Sequence, residues 1–301
     1  IEKKSGKICS GEKPNKLCVA ISGANGFVGK NLRRLLHKKG INLVSITRRN
    51  FQNYKLETKI ISPNLSKNIP ISKLNKCHAF IHLIGTGKQN TTTDYEYVNV
   101  GLTKNAIALC RKAKIKKFIF ISGLGVSKNT TSAYFISKYK AEQLIINSGL
   151  NYTILRASYI IDKNDSLSIS LTRQIKHGII IIPGSGTYHL QPISVNDVAE
   201  VIYRALISKK FSNKIIDLVG PQTVTFEKYV KLFRNKKAAR IKKIKLENAY
   251  YDALHNQKSV FGVEDLNILV GDFIGNHEKL KKLSKMKFKT YLEILQSRSS
   301  S

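Results

Sequence analysis

The sequence has little of what secreted, metal-stabilised or membrane-spanning proteins depend on. It contains no tryptophan, one methionine and four cysteines in 301 residues. Its longest apolar candidate, Ile179–Ile182, is far too short to span a bilayer. The cysteines do not have the spacing of metal ligands, and three of them (Cys18, Cys77 and Cys110) lie within or beside apolar segments. We therefore expect reduced, buried thiols, no metal site and a cytoplasmic location, with peripheral attachment to a membrane as the alternative.

Acidic residues are also scarce: the chain has 19 Asp and Glu against 52 Lys and Arg, a formal net charge of +33. Such a chain could bind nucleic acid, an acidic protein or an anionic membrane surface. The lysines are spread over the whole length, and no zinc finger, basic zipper or basic motif interleaved with aromatic residues is recognisable. We therefore expect no specific nucleic-acid binding, and we retain an acidic protein or an anionic membrane surface as candidate partners.

The order of the apolar segments indicates an α/β fold in three parts. Residues 1–16 are basic and polar without an apolar core, so they are predicted to form a flexible extension and not a secretory signal. Over residues 17–220, nearly continuous apolar strands alternate with helices, which predicts a Rossmann-type, doubly wound parallel sheet covered on both faces. Residues 221–301 are lysine-rich and mostly helical in pattern. They predict a small C-terminal lobe over the carboxyl ends of the strands, where ligands of such sheets bind.

Several single elements can be placed from the pattern. Residues 79–84 and 118–122 are short apolar runs and predict buried strands of the sheet. Residues 94–113 carry an apolar face at helical spacing and predict one continuous helix.

A glycine-rich turn follows the first strand. The apolar run Leu17–Ser22 leads into Gly-Ala-Asn-Gly-Phe-Val-Gly at 23–29, and a helical pattern follows. A nucleotide pyrophosphate needs this arrangement, because the turn must pass close beneath the phosphates and the helix N-terminus then offers free N–H groups. The alternative is an ordinary glycine-rich turn. We predict a dinucleotide site formed by Gly23, Asn25, Gly26, Phe27, Val28 and Gly29.

Tyr134 and Lys138 are four residues apart at the start of a helix, and hence on one face of it. A lysine ammonium near a phenol lowers the pKa of the phenol and prepares it for proton transfer. The pattern alone is a common coincidence in a chain rich in Lys and Tyr. The pair follows the predicted strand 118–122 and is a candidate for proton transfer.

Taken together, these motifs resemble the short-chain dehydrogenase/reductase superfamily, in particular its extended and atypical branches of NAD-dependent epimerase/dehydratase-like proteins. The spacing of three glycines three residues apart is similar to that of these branches. Val98–Thr103, Ile154–Ser158 and His189–Ala199 resemble further motifs of the superfamily. The last of them is suggestive of the branch that includes the nucleotide-binding accessory subunit of respiratory complex I.

The resemblance implies roles for further residues. Lys138 would hold the nicotinamide ribose, Asn99 would order the site, and Ser122 would complete a trio with Tyr134 and Lys138. Gly85, with Ile84 before it, would give the adenosine ribose access to the backbone. Asn64 and Leu65 stand where the superfamily contacts the adenine.

Two departures from the superfamily pattern affect the chemistry. Gly123 stands where extended members with epimerase or dehydratase activity have a substrate-binding Ser or Thr, which leaves only Ser122. After the second strand the chain has Arg48 and Arg49 in place of an acid that would bind the ribose of NAD. A guanidinium suits a 2′-phosphate, so NADP(H) is favoured over NAD(H). The alternative is that both arginines only belong to a basic surface.

Two functions are consistent with these residues. The first is an NAD(P)-dependent oxidoreductase or sugar-nucleotide epimerase/dehydratase-like enzyme, in which Tyr134 exchanges a proton with a substrate hydroxyl or carbonyl group. The second is a non-catalytic subunit that binds NADP(H) structurally or as a sensor within a larger assembly. The sequence favours the enzyme and does not identify its substrate.

Overall fold

The computed structural model describes residues 17–66, 69–87, 94–235 and 237–299. The predicted extension over residues 1–16, with Cys9, lies outside the described residues. The strands are β1 (Cys18–Ser22), β2 (Asn42–Thr47), β3 (Glu57–Ile61), β4 (Ala79–His82), β5 (Lys117–Gly123), β6 (Asn151–Ala157), β7 (Ile160–Ile161), β8 (Ile179–Pro183), β9 (His189–Leu190), β10 (Ile193–Ser194), β11 (Lys214–Leu218), β12 (Val224–Thr225) and β13 (Arg240–Ile244). The helices are α1 (Phe27–Lys38), α2 (Ile71–Leu74), α3 (Leu102–Lys112), α4 (Ala133–Ile146), α5 (Ser166–Lys176), α6 (Val195–Ile207), α7 (Phe226–Arg234), α8 (Leu246–His255), α9 (Val263–Val270), α10 (His277–Ser284) and α11 (Tyr291–Ser299).

Seven strands form one parallel sheet in the order β3-β2-β1-β4-β5-β6-β11. Helices cover both faces, so each strand alternates between two cores. On β1, Val19 and Ile21 pack in the core that contains Leu32 of α1. Ala20 packs in the opposite core with Ala106 of α3. The strands are apolar throughout because neither face meets water, and the predicted Rossmann-type doubly wound fold is confirmed.

The strand order reverses between β1 and β4, which opens a crevice at their carboxyl ends, where ligands of such sheets bind. The strand predicted over residues 79–84 ends at His82, two residues early. The chain leaves the sheet there and passes close to the glycine turn: a Cβ added to Gly23 would lie 2.9 Å from the carbonyl carbon of Leu83. This close passage forms one edge of the crevice.

The helix predicted over residues 94–113 is divided. A six-residue π-helical segment, Glu96–Gly101, precedes the regular helix α3. Asn99 lies within that segment and is buried. Such π-helical turns are frequent at functional sites, because the wider turn re-aims a side chain. The sequence pattern did not predict it.

The C-terminal lobe has its own core. Leu171 of α5 and Ile180 of β8 pack there with Phe226 of α7 and Leu269 of α9. Strand β13 pairs in parallel with β8. This core joins residues on both sides of residue 220, and the domain division at that point stays a prediction. Within the described ranges, no helix combines the length and apolarity that crossing a membrane requires.

The segment His189–Ala199, noted above only for its resemblance, fastens the end of the chain to the sheet domain. The side-chain amide of Gln191 donates to the carbonyl of Gly220 (3.0 Å), and its oxygen accepts from the amide of Gly275 (2.8 Å). The carboxylate of Asp197 accepts from the amide of Lys289 (2.9 Å). Burial raises the pKa of Asp197. These residues therefore hold the elements after α9 in place.

Candidate active site

The glycine turn between β1 and α1 has the geometry of an anion cradle. Gly23 has φ +73°, and a Cβ on Gly29 would lie 2.3 Å from the carbonyl oxygen of Gly23. Helix α1 starts without a side-chain cap and has no acidic residue in its first turn, whereas the side chain of Ser132 caps α4. The first N–H groups of α1 are therefore open to an anionic ligand. This cradle fits a dinucleotide pyrophosphate, with Asn25, Phe27 and Val28 half-buried around it.

The predicted adenosine end of the crevice lies beyond β2. Arg48 and Arg49 are exposed there, and neither takes part in an ion pair within the described part of the chain. The carbonyl of Asn64 accepts from the side-chain amide of Asn105 (2.8 Å). Leu65 has φ 57°, and its side chain is buried in the core below α3. Only the backbone of Leu65 therefore remains to contact an adenine.

A buried ion pair that the sequence analysis missed supports the loop after Arg49. The Nε and Nη2 atoms of Arg33 on α1 donate to the two carboxylate oxygens of Glu57 at 2.5 and 2.7 Å. The guanidinium also lies 3.7 Å from the ring centroid of Phe51. No local pattern pairs these residues, because they lie 24 positions apart on different elements.

Asn99 connects the loop after β4 to helix α4. Its side chain accepts from the amide of Thr86 (2.9 Å) and donates to the carbonyl of Thr86 (3.1 Å) and to the hydroxyl of Ser137 (2.9 Å). Gly85 lies in the same loop, and a Cβ added to it would be 2.9 Å from Nζ of Lys138. Asn99 therefore holds an open backbone segment against the candidate catalytic lysine.

Lys138 is buried and directed toward the sheet. Its Nζ donates to the carbonyl of Ile121 (3.1 Å) and lies 4.8 Å from the ring centroid of Phe120. Burial lowers the pKa of Lys138 to about 8, although the nearby carboxylate of Glu142 acts in the opposite direction. The ammonium form is therefore only moderately favoured at neutral pH.

Tyr134 lies beside Gly123, the last residue of β5. A Cβ added to Gly123 would be 3.3 Å from the Tyr134 hydroxyl, so the phenol occupies the space beside this glycine. Burial raises the pKa of Tyr134 to about 12, and the charge of Glu264 contributes in the same direction. The predicted lowering of this pKa by Lys138 is therefore wrong for the structure described, because burial and Glu264 dominate.

Glu264, the second residue of α9, was also missed by the sequence analysis. Its carboxylate accepts from the hydroxyl of Ser132 (2.7 Å) and from the amide of Tyr134 (3.5 Å). It therefore places a negative charge from the lobe at the N-terminus of the helix that carries Tyr134. No sequence signal links residues 130 positions apart.

Two further polar side chains, those of Ser122 and His82, are buried near the carboxyl ends of β5 and β4. The hydroxyl of Ser122 has no hydrogen-bond partner among the described residues. The Nδ1 atom of His82 lies 2.6 Å from the hydroxyl oxygen of Ser22. Burial, with a smaller effect of the Lys138 charge, lowers the pKa of His82 to about 3, so its imidazole is neutral. An unpartnered buried hydroxyl at the end of β5 fits a site that a polar ligand group completes.

A cavity of about 630 Å³ opens beyond Tyr134, between the end of β5 and the lobe. Its lining includes Gly123 and Tyr134, together with residues of α5, residues of α9 and Phe273. The structure thus brings Gly85, Asn99, Lys138, Gly123 and Tyr134 into one region. Arg48, Arg49 and Asn64 follow β2 and β3, at the other end of the crevice.

Comparison with known proteins agrees with this geometry. A family model described as NAD(P)H-binding matches residues 23–209, more than half of the chain, so the chain belongs to this family. The match covers the glycine turn, the loop after β4 and the helix that carries Tyr134 and Lys138.

Individual relatives support the resemblance inferred from the motifs, which is confirmed. The chain is 26% identical over 223 residues to NADH dehydrogenase [ubiquinone] 1 alpha subcomplex subunit 9 of Arabidopsis thaliana, covering 69% of this chain but only 55% of that protein. It is 23% identical to UDP-glucose 4-epimerase of Vibrio cholerae, over 69% of this chain and 72% of that enzyme. The structure superimposes on UDP-glucuronic acid 4-epimerase of Bacillus cereus with a TM-score of 0.73 and 18% identity, over 94% of this chain and 98% of that one.

Proposed function

From this family membership, we propose that the chain is an NAD(P)-dependent oxidoreductase or epimerase-like enzyme that acts on a hydroxyl or carbonyl group. The observation that carries the proposal is the position of the Tyr134 hydroxyl. It lies beside Gly123 in the lining of the cavity, and the same helix carries Lys138, whose Nζ borders Gly85. A substrate in the cavity would thus meet a proton-transfer group beside the crevice that fits the cofactor.

The ionisation of Tyr134 favours one direction of proton transfer. With a pKa of about 12, Tyr134 is protonated at neutral pH. It can therefore donate a proton to the oxygen of a carbonyl substrate. When bound, the nicotinamide supplies the hydride. This favours carbonyl reduction as the proton-assisted step.

We further propose NADP(H) as the preferred cofactor. The cradle between Gly23 and Gly29 suits the pyrophosphate, and the two exposed guanidinium groups of Arg48 and Arg49 suit a ribose 2′-phosphate. In this proposal residues 17–220 bind the cofactor, with Asn64 and the Leu65 backbone at the adenine. Residues 221–301 form the lobe that covers the substrate.

Calorimetric titration with NADPH and NADH tests the cofactor site. We expect tighter binding of NADPH, and Arg48→Ala should weaken NADPH about tenfold, because a charge-assisted hydrogen bond is lost, while leaving NADH unchanged. Arg240→Ala, which removes an exposed arginine from β13, is the matched control and should have no effect. If neither nucleotide binds at micromolar concentration, the proposed function is wrong.

Turnover on a panel of carbonyl compounds and sugar nucleotides tests the catalytic role. Tyr134→Phe should lower kcat by about a hundredfold or more while cofactor affinity stays the same, because only the proton donor is removed. Tyr251→Phe removes a hydroxyl from an exposed side chain of α8 and should leave kcat unchanged. Equal activity of Tyr134→Phe and the unsubstituted protein would exclude Tyr134 as the proton donor.

A second candidate function is a non-catalytic NADP(H)-binding subunit of a larger assembly. The similarity to the Arabidopsis NADH dehydrogenase subunit and the missing hydroxyl at Gly123 favour it. The high positive charge would then serve docking to an acidic partner or an anionic membrane surface. Tight NADPH binding with slow release and no turnover on any panel member would support this function over the enzyme.

A further inference from the structure

The walls of the cavity are apolar along most of its length. Several parts of the chain contribute apolar side chains to the walls. Among them are Phe135 of α4, Leu167 of α5, Ile268 and Leu269 of α9, and Phe261 and Phe273 of the loops before and after α9. Apolar walls bind ligands by removing apolar ligand surface from water. A ligand that fills this cavity must therefore present mostly apolar surface.

The aromatic wall reaches the candidate proton donor without interruption. The ring of Phe273 packs edge-on against Phe135 at 5.1 Å between centroids, and Phe135 lies 5.1 Å from the ring of Tyr134. Two glycines make room for Phe273. A Cβ on Gly125 would lie 2.6 Å from its ring, and a Cβ on Gly271 would lie 2.2 Å from it. The local backbone is thus built around this phenylalanine.

Charges on the cavity wall do not match a diphosphate. Among the described residues that line the cavity, Arg173 and His189 are the basic ones. Arg173 is exposed, and His189 is engaged with the carboxylate of Asp272, 3.0 Å from Nδ1. Asp265 adds a negative charge to the same wall. Two phosphate groups brought into such a cavity would lose water and meet one available guanidinium, that of Arg173, together with the carboxylate of Asp265.

From these observations we infer that the cavity takes a long-chain ketone or alcohol, with the apolar chain along Phe135, Phe273 and α9 and the reacting oxygen at Tyr134, and not a sugar nucleotide. This inference rests on the proposed function for the identity of the reacting group. The choice of an apolar chain rests on the cavity walls alone.

Binding of a homologous series of ketones tests the inference directly. Calorimetry is carried out on the 301-residue protein without cofactor. The affinity of the protein for the ketone should rise from 2-octanone to 2-dodecanone by about threefold to fourfold per added methylene group, as expected for burial of each group. Ile268→Glu places a charge in the wall and should weaken 2-dodecanone at least tenfold. Ile207→Glu changes an exposed isoleucine at the end of α6 and is the matched control, with no change expected. Phe273→Ala provides a second variant that removes wall surface without adding charge, and should weaken 2-dodecanone several-fold.

The outcomes separate this inference from the proposed function. The inference would be overturned if the affinity for ketones did not depend on the length of their alkyl chain. It would also be overturned if UDP-glucose competed with 2-dodecanone and bound more tightly. NADPH titration is measured separately on the same protein. If NADPH fails to bind while ketone affinity follows chain length, the cofactor proposal fails and the assignment of the apolar cavity stands.

Discussion

Replacing Glu57 by Gln tests whether the buried ion pair beside the cofactor crevice organises the loop that carries Arg48 and Arg49. The Glu57 side chain is fully buried and that of Arg33 is 6% exposed. Besides Arg33, the carboxylate accepts from the hydroxyl of Ser45 (2.5 Å) and from the amide of Tyr54 (2.9 Å). Glutamine keeps the size and an acceptor oxygen but leaves the guanidinium without its counter-charge.

The expected loss of stability is large for one isosteric change. Removing one partner of a buried ion pair costs about 3–5 kcal/mol, because the remaining charge is left unpaired. Glutamine retains part of the hydrogen bonding, so we expect about 3 kcal/mol. For a chain of this size that corresponds to a fall in Tm of roughly 5 °C. Glu227→Gln removes the carboxylate that pairs with Lys231 and Lys243 on the surface, and it should leave Tm unchanged within error.

The pH dependence provides a second check on Glu57. Burial acts to raise the pKa of Glu57, but hydrogen bonds from Arg33 and Ser45 outweigh it and hold the pKa below its usual value. A carboxyl group with a lowered folded-state pKa stabilises the fold above the unfolded-state pKa, about 4.3, and loses that contribution as pH falls through the folded value. The difference in Tm between the two proteins, measured by circular dichroism, should be constant from pH 6 to 8 and narrow below about pH 4. Equal Tm values at pH 7, or a difference that persists in acid, would refute the reasoning.

The remaining predictions concern the end of the crevice that contains Tyr134 and Lys138. Glu264→Gln removes a charge that raises the pKa of Tyr134. The basic limb of the pH–rate profile for carbonyl reduction should therefore move to lower pH. An unchanged profile would contradict this prediction. Gly85→Ala places a Cβ 2.9 Å from Nζ of Lys138. Because that atom ends a flexible side chain, Tm should change little while NADPH affinity, measured by calorimetry, falls about tenfold, the loss expected for one charge-assisted hydrogen bond. Gly87→Ala is the control, since its Cβ would meet no atom within 4 Å, and an equal effect of both variants would argue against displacement of Lys138.

The features that the sequence predicted well are local ones. A strand, a glycine turn and a helix lie within residues 17–38, so their pattern is complete in one short window. The same holds for Tyr134 and Lys138, whose spacing already places them on one helical face. The parallel sheet could also be predicted, because strands that are buried on both faces are apolar throughout. That pattern does not depend on distant residues. The π-helical turn at Asn99 was missed, since an extra residue in a helix changes the apolar spacing too little to detect.

The features that the sequence could not predict join distant parts of the chain. The partners Arg33 and Glu57 come from different elements, and Glu264 reaches Ser132 from the lobe. Each charged residue taken alone is indistinguishable from the many other charged residues of this basic chain. Their pairing depends on which side chains the tertiary fold removes from water, and no short-range pattern encodes that.

The pKa of Tyr134 illustrates the consequence for function. A tyrosine and a lysine one helical turn apart suggest a lowered phenol pKa, but the sign of the shift depends on burial and on every charge nearby. Lys138 donates to the carbonyl of Ile121, and Glu264 brings a negative charge from the lobe, so the phenol remains protonated at neutral pH. Because α9 supplies both that carboxylate and part of the apolar cavity wall, the lobe affects both the ionisation of Tyr134 and the surface of the cavity beside it. A substitution in the lobe can therefore shift the pKa of Tyr134 without altering the Tyr134–Lys138 motif.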